Sequence, residues 1–265
     1  MTLNILDEIK RDYVRDLIQK GNRTDNRAMD EYRKISVEPG VITSAEGSSR
    51  VRIGKSQVMV GVKLGVGSPF PDRPTEGVLT TNAEFLPLAS PNFESGPPND
   101  ESIELARVVD RGIRSANAVD IASLMIGEDA DSKPKVWAVY IDVYVLDHDG
   151  NLQDAAGLAA MSAILNTQMP KYEDGKLMLE EKTGPLPSKG TAVSCTFGKI
   201  GSKIFVDPSY EEEVSLDARL TMASIPGHIC ACQKTGRGSF KVEEIDACMD
   251  LALRKGDELR ALLGQ

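Results

Sequence analysis

Val136-Trp-Ala-Val-Tyr-Ile-Asp-Val-Tyr-Val-Leu146 is the most strongly predicted strand in this chain of 265 residues. It is apolar nearly throughout, which is typical of a strand in the interior of a sheet. Asp147-His-Asp-Gly150 ends the strand with turn residues. Two carboxylates and an imidazole are potential metal ligands, but any strand that ends in an Asp-Gly turn produces similar residues. We therefore predict neither a metal ion nor a cofactor.

The segments on either side of this strand predict a mixed α and β structure. Residues 33–66 alternate apolar and polar side chains around turn signals at Glu46-Gly47 and Gly54-Lys55, which predicts three antiparallel strands. Residues 78–88 return to a strand pattern. After Gly150, the small side chains of residues 153–167 predict a helix suited to close packing against the sheet.

The order of elements predicts an α+β fold of two similar units packed together. Residues 1–32 form an N-terminal helix and connector, with Leu6, Ile9, Tyr13 and Leu17 as the predicted apolar face of the helix at residues 3–20. Unit 1 spans residues 33–169, a linker spans 170–190, and unit 2 spans 191–265. Unit 2 repeats the plan of unit 1, with four strands followed by an amphipathic helix at residues 242–263.

Composition limits the range of functions. A net charge of −9 and a pI near 4.9 argue against broad, nonspecific wrapping of nucleic acid, so any RNA contact must be local. No apolar run is long enough to cross a bilayer, and the acidic N-terminus is unlike a signal peptide, which predicts a cytoplasmic protein. The four cysteines lack the paired spacing of a zinc site and are predicted to be buried free thiols.

Asp100-Glu-Ser-Ile-Glu-Leu-Ala-Arg-Val-Val-Asp-Arg-Gly-Ile-Arg-Ser-Ala-Asn117 predicts a helix with an apolar side and an arginine stripe on the other. The stripe contains Arg107, Arg111 and Arg114. One interpretation is ordinary surface pairing, because Glu104 precedes Arg107 by three residues and Asp110 precedes Arg114 by four. The other is that Arg107 and Arg111 bind an anionic ligand such as a phosphate backbone.

Seven motifs, in this order and spacing, resemble the RNase PH family over nearly the whole chain, and most closely its non-catalytic members in archaeal exosomes. They are Gly21-Asn-Arg-Thr-Asp-Asn-Arg27, Ala45-Glu-Gly-Ser48, residues 54–62, Pro69-Phe-Pro-Asp72, Ser90-Pro-Asn-Phe-Glu-Ser-Gly-Pro-Pro98, Ile103-Glu-Leu-Ala-Arg-Val-Val-Asp-Arg111 and Asp149-Gly-Asn-Leu-Gln-Asp154. The resemblance implies an RNase PH-like fold.

The resemblance also implies phosphorolysis, in which inorganic phosphate attacks the 3′-terminal phosphodiester of RNA and releases nucleoside diphosphates. Active members hold phosphate with a loop of Gly, Thr, Ser or Arg after the Asp-Gly turn, whereas this chain has Asn151-Leu-Gln-Asp154, in which Leu152 offers no donor and Asp154 repels phosphate. Arg219 stands where active members carry a catalytic Asp. We therefore predict no catalytic residue. Arg107 and Arg111, in contrast, match the family's arginines that reach RNA near the partner's active site.

The resemblance therefore implies a non-catalytic subunit that alternates with a catalytic RNase PH-like partner in a hexameric ring of three heterodimers. Such a subunit structures the partner's active site, helps bind single-stranded RNA and works with RNA-binding cap subunits. Two alternatives remain open. The chain is an active phosphorolytic exoribonuclease that uses Asp217 or Glu213, or it is a purely structural ring member without RNA contact.

Overall fold

The computed structural model describes residues 5–128, 132–173 and 175–264, which form two main sheets, a hairpin and five α-helices. The strands are β1 (Ile35–Pro39), β2 (Gly47–Ile53), β3 (Ser56–Gly67), β4 (Val78–Phe85), β5 (Met125–Glu128), β6 (Pro134–Asp147), β7 (Gln168–Glu173), β8 (Lys176–Pro185), β9 (Val193–Ile200), β10 (Lys203–Val206), β11 (Ala218–Ile225) and β12 (His228–Gly236). The helices are α1 (Ile5–Gln19), α2 (Asp100–Ser115), α3 (Leu152–Leu165), α4 (Tyr210–Glu213) and α5 (Val242–Ala261).

The first sheet has the order β1-β2-β3-β6-β4, with β5 also paired to β6. β1, β2 and β3 pair antiparallel, as predicted, and only the β4–β6 pair is parallel. β6 lies between β3 and β4, which confirms the prediction of an interior strand. On its outer face Tyr140 and Tyr144 remain exposed, while Val139, Ile141 and Val143 are buried in the core.

α3 lies between the two main sheets. It packs against β2 and β3 of the first sheet and against β9 of the second. Its alanines allow this close approach from several sides, because a methyl group adds little width to a helix; Ala155, Ala156, Ala159, Ala160 and Ala163 are all fully buried. The predicted small-residue helix is therefore confirmed, and it forms the centre of the core.

The second sheet has the order β10-β9-β11-β12 and is antiparallel throughout. Every residue of β9 is buried, because α3 covers one face of this strand and α5 packs against the other. The four cysteines are free thiols, as predicted. The prediction that all are buried is wrong, because Cys232 is exposed on β12.

The segment between the predicted units is structured. Residues 170–190, predicted as a linker, include most of the antiparallel hairpin of β7 and β8. The sequence analysis missed these strands because much of the β8 surface is exposed on both faces, so apolar and polar residues do not alternate there. The division into units at residues 33–169 and 191–265 stays a prediction.

α1 packs on the second sheet through Val14 and Ile18, which contact Ile200 and Phe205. The predicted apolar face is wrong, because Ile9 and Tyr13 are exposed by 59% and 63%. Residues 3 and 4 and the side chain of Leu6 belong to the part of this prediction that lies outside the described residues. None of the helices in the described part of the chain is long and apolar enough to cross a membrane.

A buried ion cluster joins the connector after α1 to the second sheet; we use this term for Arg23, Arg27, Arg33, Asp207 and Glu212. Arg23 Nη2 lies 2.6 Å from Glu212 Oε2, and both side chains are fully buried. Arg27 and Arg33 each reach Asp207 at 2.8 Å. Together the three guanidinium groups neutralise two carboxylates that have no access to water, which makes each charge dependent on its partners.

Replacement of Arg23 tests this dependence. We expect Arg23→Ala to lower the free energy of unfolding by about 3–5 kcal/mol, because Glu212 remains buried without its cation. Equilibrium unfolding in urea measures the change. The matched control is Lys20→Ala, which removes an exposed pair with Asp16 and is expected to cost about 0.5 kcal/mol or less. Equal effects from the two substitutions would contradict a stabilising role for the cluster.

Candidate functional site

α2 presents its arginines at the junction of the two sheets. Asn99 caps the helix, with its side-chain oxygen accepting from Ser102 N at 2.9 Å. Leu105, Val109 and Ile113 are buried, and the helix packs against β4, α3 and β12. The predicted helix and its apolar side are therefore confirmed, and the opposite side of the helix carries the arginines.

Arg107 is exposed and makes no hydrogen bond or ion pair with any residue that the structure describes. The predicted pair with Glu104 is wrong, because Glu104 Oε1 instead accepts from Thr235 Oγ1 at 2.6 Å. The predicted pair of Asp110 with Arg114 is confirmed at 2.8 Å. Both acids within one turn of Arg107 are therefore held by other partners, and its charge is available to a ligand.

Arg111 lies one turn further along α2 and is half-buried. Its Nη1 donates to Gln233 Oε1 on β12 at 2.6 Å, which fixes the direction of the side chain and leaves its other donors unused among the described residues. Arg107, Arg111 and Gln233 border a hollow of about 320 Å³ between α2 and β12. Residues 107 and 111 lie about 6 Å apart along the helix axis, and their guanidinium groups suit a phosphate-bearing strand because each offers a fork of donors.

Arg114 does not extend this pair. Its Nε donates to Asp110 at 2.8 Å, and its Nη2 donates to the backbone oxygen of Leu79 on β4. These bonds attach α2 to the first sheet, so the third arginine of the predicted stripe has a structural role.

The turn between β6 and α3 contains the residues that the sequence analysis compared with the phosphate loop of active members. Gly150 has a φ of +87°, and a Cβ there would lie 2.5 Å from Pro208 O, so only glycine fits the approach of these two segments. Asn151 also adopts a left-handed conformation, and its side-chain nitrogen donates to both Asp154 and Asp207. Leu152 is buried, as is Asp154. The turn therefore directs its side chains inward.

Asp154 is buried and accepts hydrogen bonds from Tyr32 Oη at 2.7 Å, Asn151 Nδ2 at 2.9 Å and Thr196 Oγ1 at 2.7 Å. Burial raises the pKa of Asp154 to about 6, although these hydrogen bonds act in the opposite direction. Asp154 therefore faces the interior of the protein, and the expectation that it repels phosphate stays a prediction. The carboxylate brings a negative charge to the N-terminus of α3 from inside the protein, where an external anion would otherwise be favoured.

Arg219, which the sequence analysis predicts to replace a catalytic Asp of active members, is held by acids and an amide. Its Nη1 lies 3.3 Å from Glu213 Oε1, and its Nη2 lies 3.7 Å from Glu104 Oε1. With the amide of Gln153 oriented so that its oxygen faces the guanidinium, that oxygen lies 2.8 Å from Arg219 Nη2. Arg219 is therefore a fixed cation with its counter-charges beside it.

Asp217, the alternative catalytic residue, has structural partners. Its Oδ1 lies 2.9 Å from Arg15 on α1, and its Oδ2 accepts from Gly201 N at 2.7 Å. Glu213, the other alternative, is bound to Arg219 and to Asn151 N. Both carboxylates therefore make contacts within the chain that hold neighbouring segments in place.

The residues at the end of β6 form an aromatic stack. The His148 ring lies 5.4 Å from Phe93 in a stacked arrangement and 5.1 Å from Tyr210 in an edge arrangement. Burial lowers the pKa of His148. Within residues 5–128, 132–173 and 175–264, no group of three or more His, Cys, Asp or Glu side chains is arranged to hold a metal ion.

Sequence reasoning missed Thr235 and Gln233, which lie two residues apart on β12 and contact Glu104 and Arg111 of α2. Neutral polar side chains on an edge strand carry no periodic or charge signal. Only the pairing of α2 with β12 in three dimensions reveals them.

A small-residue helix between two sheets, with an arginine helix at their junction, defines an RNase PH-like protein. The chain belongs to the 3′ exoribonuclease family of RNase PH: domain 1 of the family matches residues 31–170, and domain 2 matches residues 190–255.

Relatives of this chain include the exosome complex component Rrp42 of Thermococcus gammatolerans, which is 49% identical over 266 residues, covering 98% of this chain and 96% of the relative. A structure of the Archaeoglobus fulgidus exosome with RNA bound to the active site contains a similar chain, with a TM-score of 0.90, 44% identity and coverage of 97% and 99%. A structure of an archaeal exosome core contains another, with a TM-score of 0.86, 41% identity and 98% of both chains covered. These similarities confirm the RNase PH-like fold.

The raised pKa of Asp154 predicts a distinct pH dependence of stability. Its folded pKa of about 6 exceeds the ordinary aspartate value of 3.8, so the folded state binds more protons between these values. The stabilisation from this protonation is complete below pH 4 and is lost as pH rises through about 6, a change on the order of 3 kcal/mol. We expect the unfolding free energy of Asp154→Asn, relative to that of the unsubstituted protein, to rise between pH 4 and pH 7 in urea titrations.

Asp217→Asn provides the matched control. Burial acts to raise the pKa of Asp217, but the bonds from Arg15 and Gly201 hold it below its usual value. Asp217 therefore stabilises the fold above pH 4, and this stabilisation is lost as pH falls. The relative stability of Asp217→Asn should therefore change below pH 4 and stay nearly constant between pH 4 and pH 7, where that of Asp154→Asn rises. Parallel pH profiles for the two variants would contradict the assignment of Asp154.

Proposed function

We propose that this chain is a non-catalytic subunit of an archaeal exosome core, in which it structures the active site of a catalytic RNase PH-like partner. It helps bind single-stranded RNA during 3′-to-5′ phosphorolytic degradation. The observation that carries the proposal is Arg219, which is fixed between Glu213 and Glu104 at the position of the family's catalytic Asp. The ring contains three heterodimers and works with RNA-binding cap subunits.

The proposed lack of phosphorolytic activity follows from the charges and donors of the residues at the turn before α3 and at position 219. Phosphorolysis depends on donors that hold phosphate and on a group that neutralises charge at the leaving oxygen. Here Leu152 offers no donor, and Asp154 supplies a negative charge to the helix terminus where phosphate would bind. Arg219 is a guanidinium that stays protonated, so it cannot give a proton to the leaving oxygen.

The RNA contact is assigned to Arg107 and Arg111. Arg107 is exposed without a partner among the described residues, and Arg111 is oriented by Gln233 toward the same hollow. Their free donors form a local cation site on a chain whose net charge is −9. A local site of this kind fits a subunit that guides one RNA strand toward a neighbouring active site.

The isolated chain is expected to release no nucleoside diphosphate from single-stranded RNA in the presence of inorganic phosphate, and Asp217→Ala is expected to leave this baseline unchanged. Chromatographic separation of the nucleotides measures the product, and the catalytic partner serves as the positive control. Diphosphate release by the isolated chain, abolished in Asp217→Ala, would establish instead that the chain is an exoribonuclease in its own right.

The RNA role is tested with Arg107→Glu/Arg111→Glu in the ring assembled with the catalytic partner. Each arginine that no longer neutralises a phosphate lowers the slope of log affinity against log salt by about 0.7 for a single strand, so the double variant should lower it by about 1.4. Fluorescence anisotropy of labelled oligoadenylate in phosphate-free buffer measures binding without degradation.

The control is Lys10→Glu/Lys20→Glu, which reverses one exposed charge on α1 and one on the residue that follows it. It should leave affinity and salt slope close to the unsubstituted values. A ring that assembles normally and binds RNA equally well with the α2 variant would instead support a purely structural subunit.

A further inference from the structure

Glu104 precedes Arg107 by three residues on α2, a spacing at which a free carboxylate pairs with a guanidinium. Its side chain turns instead toward the second sheet. Thr235 Oγ1 on β12 donates to Glu104 Oε1 at 2.6 Å, and Arg219 Nη2 on β11 lies 3.7 Å from the same oxygen. Two residues that are distant in sequence thus hold the acid that would otherwise neutralise Arg107.

The bond from Thr235 is strong enough to decide this competition. A short hydroxyl bond to a carboxylate is assisted by the charge, whereas an exposed ion pair on a helix surface contributes little. Arg219 adds a cation 3.7 Å from the same carboxylate oxygen. Asp110, the other acid within reach, is occupied by Arg114 at 2.8 Å and by Thr81 Oγ1 at 3.3 Å.

We propose that Thr235 and Arg219 are positioning residues that hold Glu104 away from Arg107 and so keep Arg107 available to an RNA phosphate. The inference rests on the proposed function, because it concerns the same RNA contact. It assigns to Arg219 a role beyond the loss of a catalytic carboxylate. The cation at that position also maintains the charge of the binding helix.

The decisive variant is Thr235→Val/Arg219→Gln, which removes both partners of Glu104. In the ring assembled with the catalytic partner, this variant should bind fluorescent oligoadenylate about two- to fivefold more weakly, which is the range expected when one cation becomes paired by an exposed acid. The salt slope should fall by up to about 0.7. Adding Glu104→Gln should restore both quantities, because no acid then remains to neutralise Arg107.

Two single variants distinguish the release of Glu104 toward Arg107 from a simple change in net charge near the RNA. Thr235→Val changes no charge, so a loss of affinity in this variant supports release of Glu104. Glu104→Gln alone should leave affinity unchanged, because the acid is already held away from Arg107. Tightening by Glu104→Gln as large as the weakening in the double variant would overturn the inference, since it would show simple charge additivity.

The structure of Thr235→Val/Arg219→Gln gives a readout independent of RNA. The Glu104 carboxylate should lie within about 4 Å of the Arg107 guanidinium, the separation of an ion pair, and a carboxylate still directed at β12 would overturn the inference.

Arg107→Glu/Arg111→Glu in the same binding assay separates the positioning role of Thr235 and Arg219 from the RNA role of the α2 arginines. If that variant weakens binding while the decisive variant does not, only the positioning role fails; if neither weakens binding, the RNA role itself fails.

Discussion

Three arginines neutralise two buried carboxylates in this fold, and these charges must stay paired. The positions of the segments around the candidate sites depend on this pairing. A buried charge is stable only when its partners remain in position, so the buried ion cluster fixes each segment that contributes to it. Arg23 also donates to the backbone oxygens of Val206 and Asp207, and Arg33 donates to those of Asp149 and Gly150. The connector after α1, the turn before α3 and the segment before α4 are therefore held as one body.

A polar network continues from the cluster into the turn where active relatives bind phosphate. Asn151 joins Asp207 to Asp154, and Asp154 in turn reaches Tyr32 and Thr196. A helix N-terminus ordinarily favours an external anion, but here an internal carboxylate already supplies the negative charge. In this chain the turn is therefore filled by a buried polar network, and the proposed loss of chemistry involves more than the absence of a few donors.

The sequence predicted those features that depend on neighbouring residues along the chain. β6 and α2 have strong local periodicity, and the angular positions of Arg107 and Arg111 follow from helix geometry. The partner of Glu104 could not be predicted, because Thr235 lies 131 residues away and the local rule favours Arg107. The prediction of the buried face of α1 was wrong for a similar reason. Two adjacent apolar stripes on this helix could each be buried, and the contact with Phe205 buries the one that contains Val14 and Ile18.

Arg219 could not be exchanged alone to regain a catalytic centre. An aspartate at this position would add a third carboxylate to Glu213 and Glu104, which now lie 3.3 and 3.7 Å from the guanidinium. Neighbouring carboxylates raise one another's pKa values and disfavour the ionised forms. Glu104 would also lose the guanidinium that now lies 3.7 Å from its Oε1. A change of charge at residue 219 would therefore also affect the arginine helix α2, because Glu104 on that helix pairs with Arg219.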